Sequence, residues 1–297
     1  MFGHILVPLD GSRLAEDILG PVRALALELG SRVTLLHVIE ADAPARVHGE
    51  PHLTTIAEGE AYLERLVDEL GAEGVQAEKH VHDRSVGDVA AAIDAHSHEV
   101  GADLTAMCKH GRAGLRQVFV GSIAQRILRG GGTPILLKRP ERARGEPFQL
   151  RRILVPIDHE HDTRSAVDRA ATLASAFQAE VRLMTAVPSL SRARGVSVVA
   201  RLMPRATAAS LEMEVETVSS QLEEQAARLA AAGVEASAAI RHEEPAEAIL
   251  LEAESLPADL VVMSTHARTG FDAWYSGSTG TRVIAESSRP LLLLRDL

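Results

Sequence analysis

Ile5-Leu6-Val7-Pro8-Leu9-Asp10 returns 148 residues further on as Ile153-Leu154-Val155-Pro156-Ile157-Asp158. Ala102-Asp103-Leu104 with Met107 returns as Ala258-Asp259-Leu260 with Met263, now at an offset of 156. Gly121-Ser122 and Pro134-Ile135-Leu136 return as Gly277-Ser278 and Pro290-Leu291-Leu292 at the same offset. Matching segments in constant order mean a duplicated domain, and the change of offset means that the second copy carries extra residues in its middle. The reading expects one domain over 1–140, a polar linker over 141–150, and a second domain over 151–297.

Each quoted hexapeptide is a short apolar run closed by a turn, as a buried strand is. Working outward, strands are predicted at His4–Leu9, Val33–Ile39, Val75–Val81, Leu104–Cys108 and Pro134–Lys138. Helices are predicted at Arg13–Leu29, Ala61–Leu70, Val86–Val100 and from Ser122 to Arg129. Apolar strands alternating with amphipathic helices give a parallel sheet covered on both faces. The fold class is therefore α/β: two tandem, doubly wound, five-stranded parallel sheets with helices on both faces. In the second copy the extra residues fall between Val187 and Gly233. Ser189–Arg205 reads as a lid, an interaction arm or a neutral insertion, and Ala206–Leu229 as a helix.

The chain has 297 residues, 46% of them hydrophobic and only 3% aromatic, so its cores must be aliphatic. A net charge of −10 argues against nonspecific binding to nucleic acid or anionic membranes. A single cysteine, Cys108, excludes an internal disulfide. No signal-peptide pattern and no apolar run of transmembrane length is present, so a cytoplasmic location is expected.

In open parallel sheets ligands bind beyond the carboxyl ends of the strands, where strand order reverses. That selects the segments after Leu9, after Val38 and after Met107. The loop after Met107 leads to Gly121-Ser122 and a helix start, where unsatisfied N–H groups favour anions. A Gly-Ser pair before a helix also serves as a plain cap. His80-x-His82 and His96-x-His98 invite a metal reading, but no Cys or carboxylate set completes one. They are read as surface histidines, and no metal site is assigned. His159-Glu160-His161-Asp162 reads as a turn and cap, and Trp274-Tyr275 as a packing contact or a stacking platform. Neither a Walker-type phosphate loop nor a Gly-x-Ser-x-Gly elbow occurs, and no nucleophile–base pair is evident.

The ordered set of Ile-Leu-Val-Pro-x-Asp, Leu-Leu-His-Val, Ala-Asp-Leu with Met, His-Gly-Arg-x-Gly, Gly-Ser and Pro-Ile-Leu-Leu resembles the universal stress protein family, here as a tandem member. The resemblance implies the HUP, adenine-nucleotide-hydrolase-like fold and a stress-response module that binds ATP or a related adenine nucleotide in domain 1. It implies Mg²⁺ held through the nucleotide phosphates and Asp10, with slow hydrolysis at most. By similarity, Pro8, Leu9 and Met107 would line the base and sugar pocket. Asp10 would meet the ribose and metal, and the Val38 backbone the adenine. Gly111, Gly121, Ser122, Ile123 and Ala124 would cradle the phosphates. Cys108 stands where the family's nucleotide motif has glycine. There it is either an inert buried thiol or, beside an anion site, a redox sensor with a lowered pKa. The weaker second set is Asp158, Ala186, Met263, Ser264, Gly277, Ser278 and Thr279, with Ser264 and Ala267 where the motif has glycines. The alternative function is a stress interaction protein or scaffold with degenerate sites, and an adenylylating or phosphoryl-transfer enzyme is a third. The last strands, Ile135–Lys138 and Leu291–Arg295, are apolar and near sheet edges. They are expected to pair the halves, with a homodimer of tandem chains and unknown protein partners beyond.

Overall fold

The computed structural model describes residues 1–41, 43–109, 122–130, 132–141, 147–158, 163–187, 204–266 and 279–296. The chain forms two compact units, Met1–Gln149 together with Ser287–Arg295, and Leu150–Glu286.

Unit 1 begins with β1 (His4–Pro8), α1 (Arg13–Glu16), α2 (Leu19–Leu29), β2 (Arg32–Glu40), β3 (Arg46–Val47) and β4 (Glu50–Pro51). It continues with α3 (Ile56–Ala72), β5 (Gln76–Val86), α4 (Val89–Glu99), β6 (Leu104–Cys108), α5 (Ser122–Gly130) and β7 (Ile135–Lys138). Unit 2 holds β8 (Arg152–Pro156), α6 (Arg164–Phe177), β9 (Glu180–Ala186), α7 (Pro204–Ala231), β10 (Ala236–Arg241), α8 (Pro245–Ser255), β11 (Leu260–His266) and α9 (Thr279–Glu286). The last strand, β12 (Leu291–Asp296), returns to unit 1.

The sheet of unit 1 runs β5-β2-β1-β6-β7-β12. Its first five strands are parallel. β12 runs antiparallel to β7, with Leu291 opposite Leu137 and Leu293 opposite Ile135, so the expected pairing of the two terminal strands is present. In unit 2 the parallel order is β10-β9-β8-β11. Ile5, Leu6 and Val7, and their copies Ile153, Leu154 and Val155, are fully buried, which is why an unbroken aliphatic run marks the centre of each sheet.

Two local features depart from the sequence reading. The helix expected over 13–29 breaks at Asp17-Ile18. Proline has no N–H to give the carbonyl four residues back, so Pro21 is accommodated only in the first turn of a new helix. The Asp17 carbonyl accepts instead from Lys138 Nζ at 3.3 Å, and the Asp17 carboxylate pairs with the same ammonium at 2.8 Å. The second feature is the hairpin β3–β4, whose turn residues His48 and Gly49 both have positive φ, 50° and 90°. That is the backbone of a two-residue type I′ turn.

The repeated Ala-Asp-Leu motif is structural. Asp103 accepts from the Gly3 and His4 amides at 2.8 and 3.0 Å, and Asp259 does the same for Arg151 and Arg152 at 2.8 and 2.9 Å. Each aspartate thus satisfies the N–H groups at the entry of a central strand. Asp103→Ala is expected to cost about 1–3 kcal/mol, because the two amides lose a charged acceptor. Urea unfolding checks this, and an unchanged midpoint would contradict the assigned role.

Candidate functional site

Strand order reverses at β1. The chain passes from β1 to β2 and β5 on one side, then crosses to β6 and β7 on the other. The carboxyl ends of β1 and β6 are therefore neighbours, and Pro8, Leu9 and Asp10 lie next to Met107 and Cys108 at the switch point. Leu9, Met107 and Cys108 are buried, and Asp10 is half-exposed at the rim. On the other flank the Leu9 amide donates to the Leu36 carbonyl at 2.8 Å. Peptide groups alternate sides along a strand, so Val38, two residues on, turns its own towards β1 but past that strand's end. The β2–β5 register slips between Val38 and Glu40, which marks a bulge at this point.

The Asp10 carboxylate is already engaged. Its Oδ1 accepts from the Ser12 amide at 2.9 Å and from the Ser12 hydroxyl at 2.6 Å, while Ser12 Oγ caps α1 by accepting from the Ala15 amide. Its Oδ2 lies 3.6 Å from His48 Nε2. His37, of the Leu-Leu-His-Val motif, is buried, with Nδ1 2.8 Å from the Leu9 carbonyl oxygen. In unit 2 the Thr185 hydroxyl donates to the equivalent carbonyl of Ile157 at 3.0 Å. The two copies thus fix the turn after the central strand with different donors.

Cys108 is not electronically activated. Burial first, then the charge of Asp17, pushes its thiol well above the usual range, which contradicts the lowered pKa expected of a redox sensor. The next residue, Lys109, is buried as well. Its Nζ donates to the Ser287 carbonyl at 2.7 Å. Burial, helped by the charge of Arg139, pushes its ammonium down to about 7.

Ser122 opens α5, with Ile123 half-buried and Ala124 buried behind it. Gly111 and Gly121 lie outside the described residues, as do Gly277 and Ser278 of the second set. His110, residues 159–162, residues 188–203, Trp274 and Tyr275 do so too. Of the second set, Asp158 is exposed after β8, Ala186 ends β9, Met263 is buried in β11, and Thr279 opens α9. Ser264 is bonded to Ser165 of α6, Oγ to Oγ at 2.9 Å.

The histidines are not all surface residues, as the sequence reading expected. His80, His82 and His96 meet between β5 and α4, because alternate residues of a strand share a face. His82 Nδ1 is 2.8 Å from His96 Nε2, and the His80 and His96 rings are 4.5 Å apart. His96 is buried, while His98 is exposed. Among the described residues no three donors are arranged around a metal position.

A sequence model described as the Universal stress protein family matches residues 1–139 and again 149–295. The chain belongs to the universal stress protein family. Universal stress protein YxiE of Bacillus subtilis strain 168 is 26% identical over 151 residues, covering 47% of this chain and 100% of that one. The crystal structure of a universal stress protein from Archaeoglobus fulgidus DSM 4304 matches with a TM-score of 0.71 at 17% identity, over 99% of both chains. A putative universal stress protein from Pseudomonas aeruginosa UCBPP-PA14 matches at 0.67 and 20% identity, over 99% of this chain and 93% of that one. These structural likenesses concern the fold. Among the described residues no helix of this universal stress protein is long and apolar enough to cross a membrane.

Sequence reasoning missed the residues that flank the turn after β1, namely His48 beside Asp10, Glu50 on the Arg13 amide and Leu53 against Gly11. The signal was the Val47-His48-Gly49-Glu50 stretch, a tight-turn pattern too short to carry strand periodicity.

Proposed function

We propose that unit 1 binds ATP or a related adenine nucleotide, with Mg²⁺ carried on its phosphates, and that occupancy alters contacts with protein partners under stress. The observation that carries this reading is the switch point, where Leu9 and Asp10 after β1 lie next to Met107 and Cys108 at the end of β6. The turned-out peptide groups of Val38 supply the hydrogen-bonding edge an adenine needs, with no demand on that side chain. Asp10 would hold the ribose, and the start of α5 at Ser122 would receive phosphate oxygens. Lacking an evident general base, the site would turn ATP over slowly at most. In unit 2 the Ser165–Ser264 bond and the loss of both early motif glycines make the matching site the weaker binder.

A second reading is an interaction module whose sites stay closed. The engagement of Asp10 by Ser12 and His48 favours it. Heating the purified protein and identifying any released compound by absorbance and mass, followed by titration with MgATP, separates the two. Gly121→Asp is expected to weaken binding about tenfold or more, because it adds bulk and a like charge beside the phosphates. Unchanged affinity would remove the assigned pocket, and an empty protein that ignores ATP would leave the interaction module.

A further inference from the structure

The segment between β2 and α3 folds back over the strand-end crevice of unit 1. It is tied there by independent contacts at successive residues. His48 Nε2 faces Asp10 Oδ2 at 3.6 Å. Glu50 Oε2 accepts from the Arg13 amide at 3.1 Å. The Leu53 side chain lies against Gly11, whose φ is +87°, so closely that a Cβ there would sit 2.8 Å from Leu53 Cδ1. The Leu53 carbonyl is 3.4 Å from His37 Nε2, and the other nitrogen of that ring holds Leu9. The His52 amide closes the hairpin on the Ala45 carbonyl at 3.3 Å, His52 Nε2 lies 3.9 Å from Glu40 Oε1 of β2, and the Thr55–Glu58 capping box of α3 fixes the far end.

We propose that residues 45–55 form a strap that closes the crevice through His48 on Asp10, Glu50 on the Arg13 amide and Leu53 on Gly11, and that a nucleotide is admitted only when the strap lifts. The inference rests on the nucleotide reading and adds its regulation. Ser12 already occupies Oδ1 of Asp10, so the oxygen left for a ligand is the one that His48 faces. A hairpin of two two-residue strands has little stability of its own. Its ties are two histidine–carboxylate pairs, His48 with Asp10 and His52 with Glu40, two hydrogen bonds, at Glu50 and at the Leu53 carbonyl, and the apolar contact of Leu53. These ties must break for the strap to lift, and apparent affinity scales with the fraction of molecules in which it is open. Because Glu50 and a phosphate group carry the same sign of charge, the ligand and the closed strap compete.

The test compares the wild-type chain with His48→Ala/Glu50→Ala, and with Leu53→Ala as a second variant that keeps both polar groups. Hydrogen exchange of the Arg13 amide and of residues 45–53 reports the strap, and MgATP titration reports the site. Both variants are expected to exchange faster in these segments alone and to bind MgATP about tenfold more tightly. In the wild type, saturating MgATP is expected to raise exchange in residues 45–53. Equal MgATP affinity in all three proteins, or strap exchange that the substitutions leave unchanged, would overturn the strap while leaving the nucleotide site. Faster strap exchange with no MgATP binding to any of the three would remove the nucleotide reading, and the gating role with it.

Discussion

Lys109→Met is expected to reshape the pH dependence of stability. In the folded chain burial holds the Lys109 ammonium down to about 7, against an ordinary lysine value of 10.5. A folded-state pKa below the unfolded one means that the unfolded chain binds the extra proton between those two values, so stability rises with pH across that window. The gain is complete above about 10.5 and is lost as pH falls to about 7. Below that the penalty is constant, and 1.36 kcal/mol per unit puts its upper bound at roughly 4–5 kcal/mol. Methionine fills a similar volume and carries no charge to desolvate. It also leaves the Ser287 carbonyl without the Nζ donor, which costs about 1 kcal/mol. The variant should therefore be clearly the more stable protein at pH 6, with the difference nearly gone by pH 10. Urea unfolding of both proteins at the two values, followed by far-ultraviolet circular dichroism, gives the comparison. Parallel pH curves would show that the Lys109 amine is solvated in the folded chain. The position matters because Lys109 directly follows Cys108 at the neck of the candidate loop, and Ser287 leads into β12.

The central strands were legible because their residues answer to one demand. A strand covered on both faces must be aliphatic throughout, and Ile5–Val7 and Ile153–Val155 say so without any partner in view. The strand ends that flank the candidate site were legible for the same reason, since the apolar run stops where each strand does. What stayed hidden depends on residues far apart in the chain. Nothing near Asp10 indicates that His48 will face it, and the hairpin that carries His48 is too short to show a period of two. Pro21 did announce the break between α1 and α2, but the leucine spacing on either side reads as one helix. The histidines show the same limit. His80-x-His82 marks one strand face, yet the buried ring that completes the cluster comes from α4, and only the crossover from β5 brings it there.

That cluster has a counterpart in unit 2, which makes Glu252 the most exacting test of how the copies diverged. Laying Gly74-Val75 on Gly233-Val234 and Ala102-Asp103 on Ala258-Asp259 puts Arg241 in the place of His82 and Glu252 in that of His96. Where unit 1 has two imidazoles within hydrogen-bonding distance, unit 2 has a buried carboxylate between guanidinium groups. Glu252 Oε1 is 3.3 Å from Arg182, and its Oε2 accepts from Arg241 Nε and Nη2 at 2.8 and 2.7 Å. The serine hydroxyls of Ser237 and Ser255 take one further N–H from each arginine. The Glu252 side chain is 6% exposed, and those of Arg182 and Arg241 are 29% and 27% exposed. Removing the carboxylate leaves two like charges on adjacent strands with part of their solvation lost. For a fully buried pair that would cost about 3–5 kcal/mol. The partial exposure of both arginines lowers the expectation for Glu252→Ala to about 2–3 kcal/mol. Glu252→Gln keeps an acceptor and should lose about half as much. The two loci should also respond differently to acid. Burial, then the charges of His80 and His82, holds His96 below its ordinary value, so the staple of unit 1 weakens as pH falls from 6.5 towards that lowered value. Hydrogen exchange along β5 and β10 in the wild type, at pH 7 and pH 5, reads both staples in one molecule. Acid should loosen β5 and spare β10, whereas Glu252→Ala should loosen β10 at either pH. A β10 that stays protected in Glu252→Ala would mean that aliphatic packing alone holds that edge.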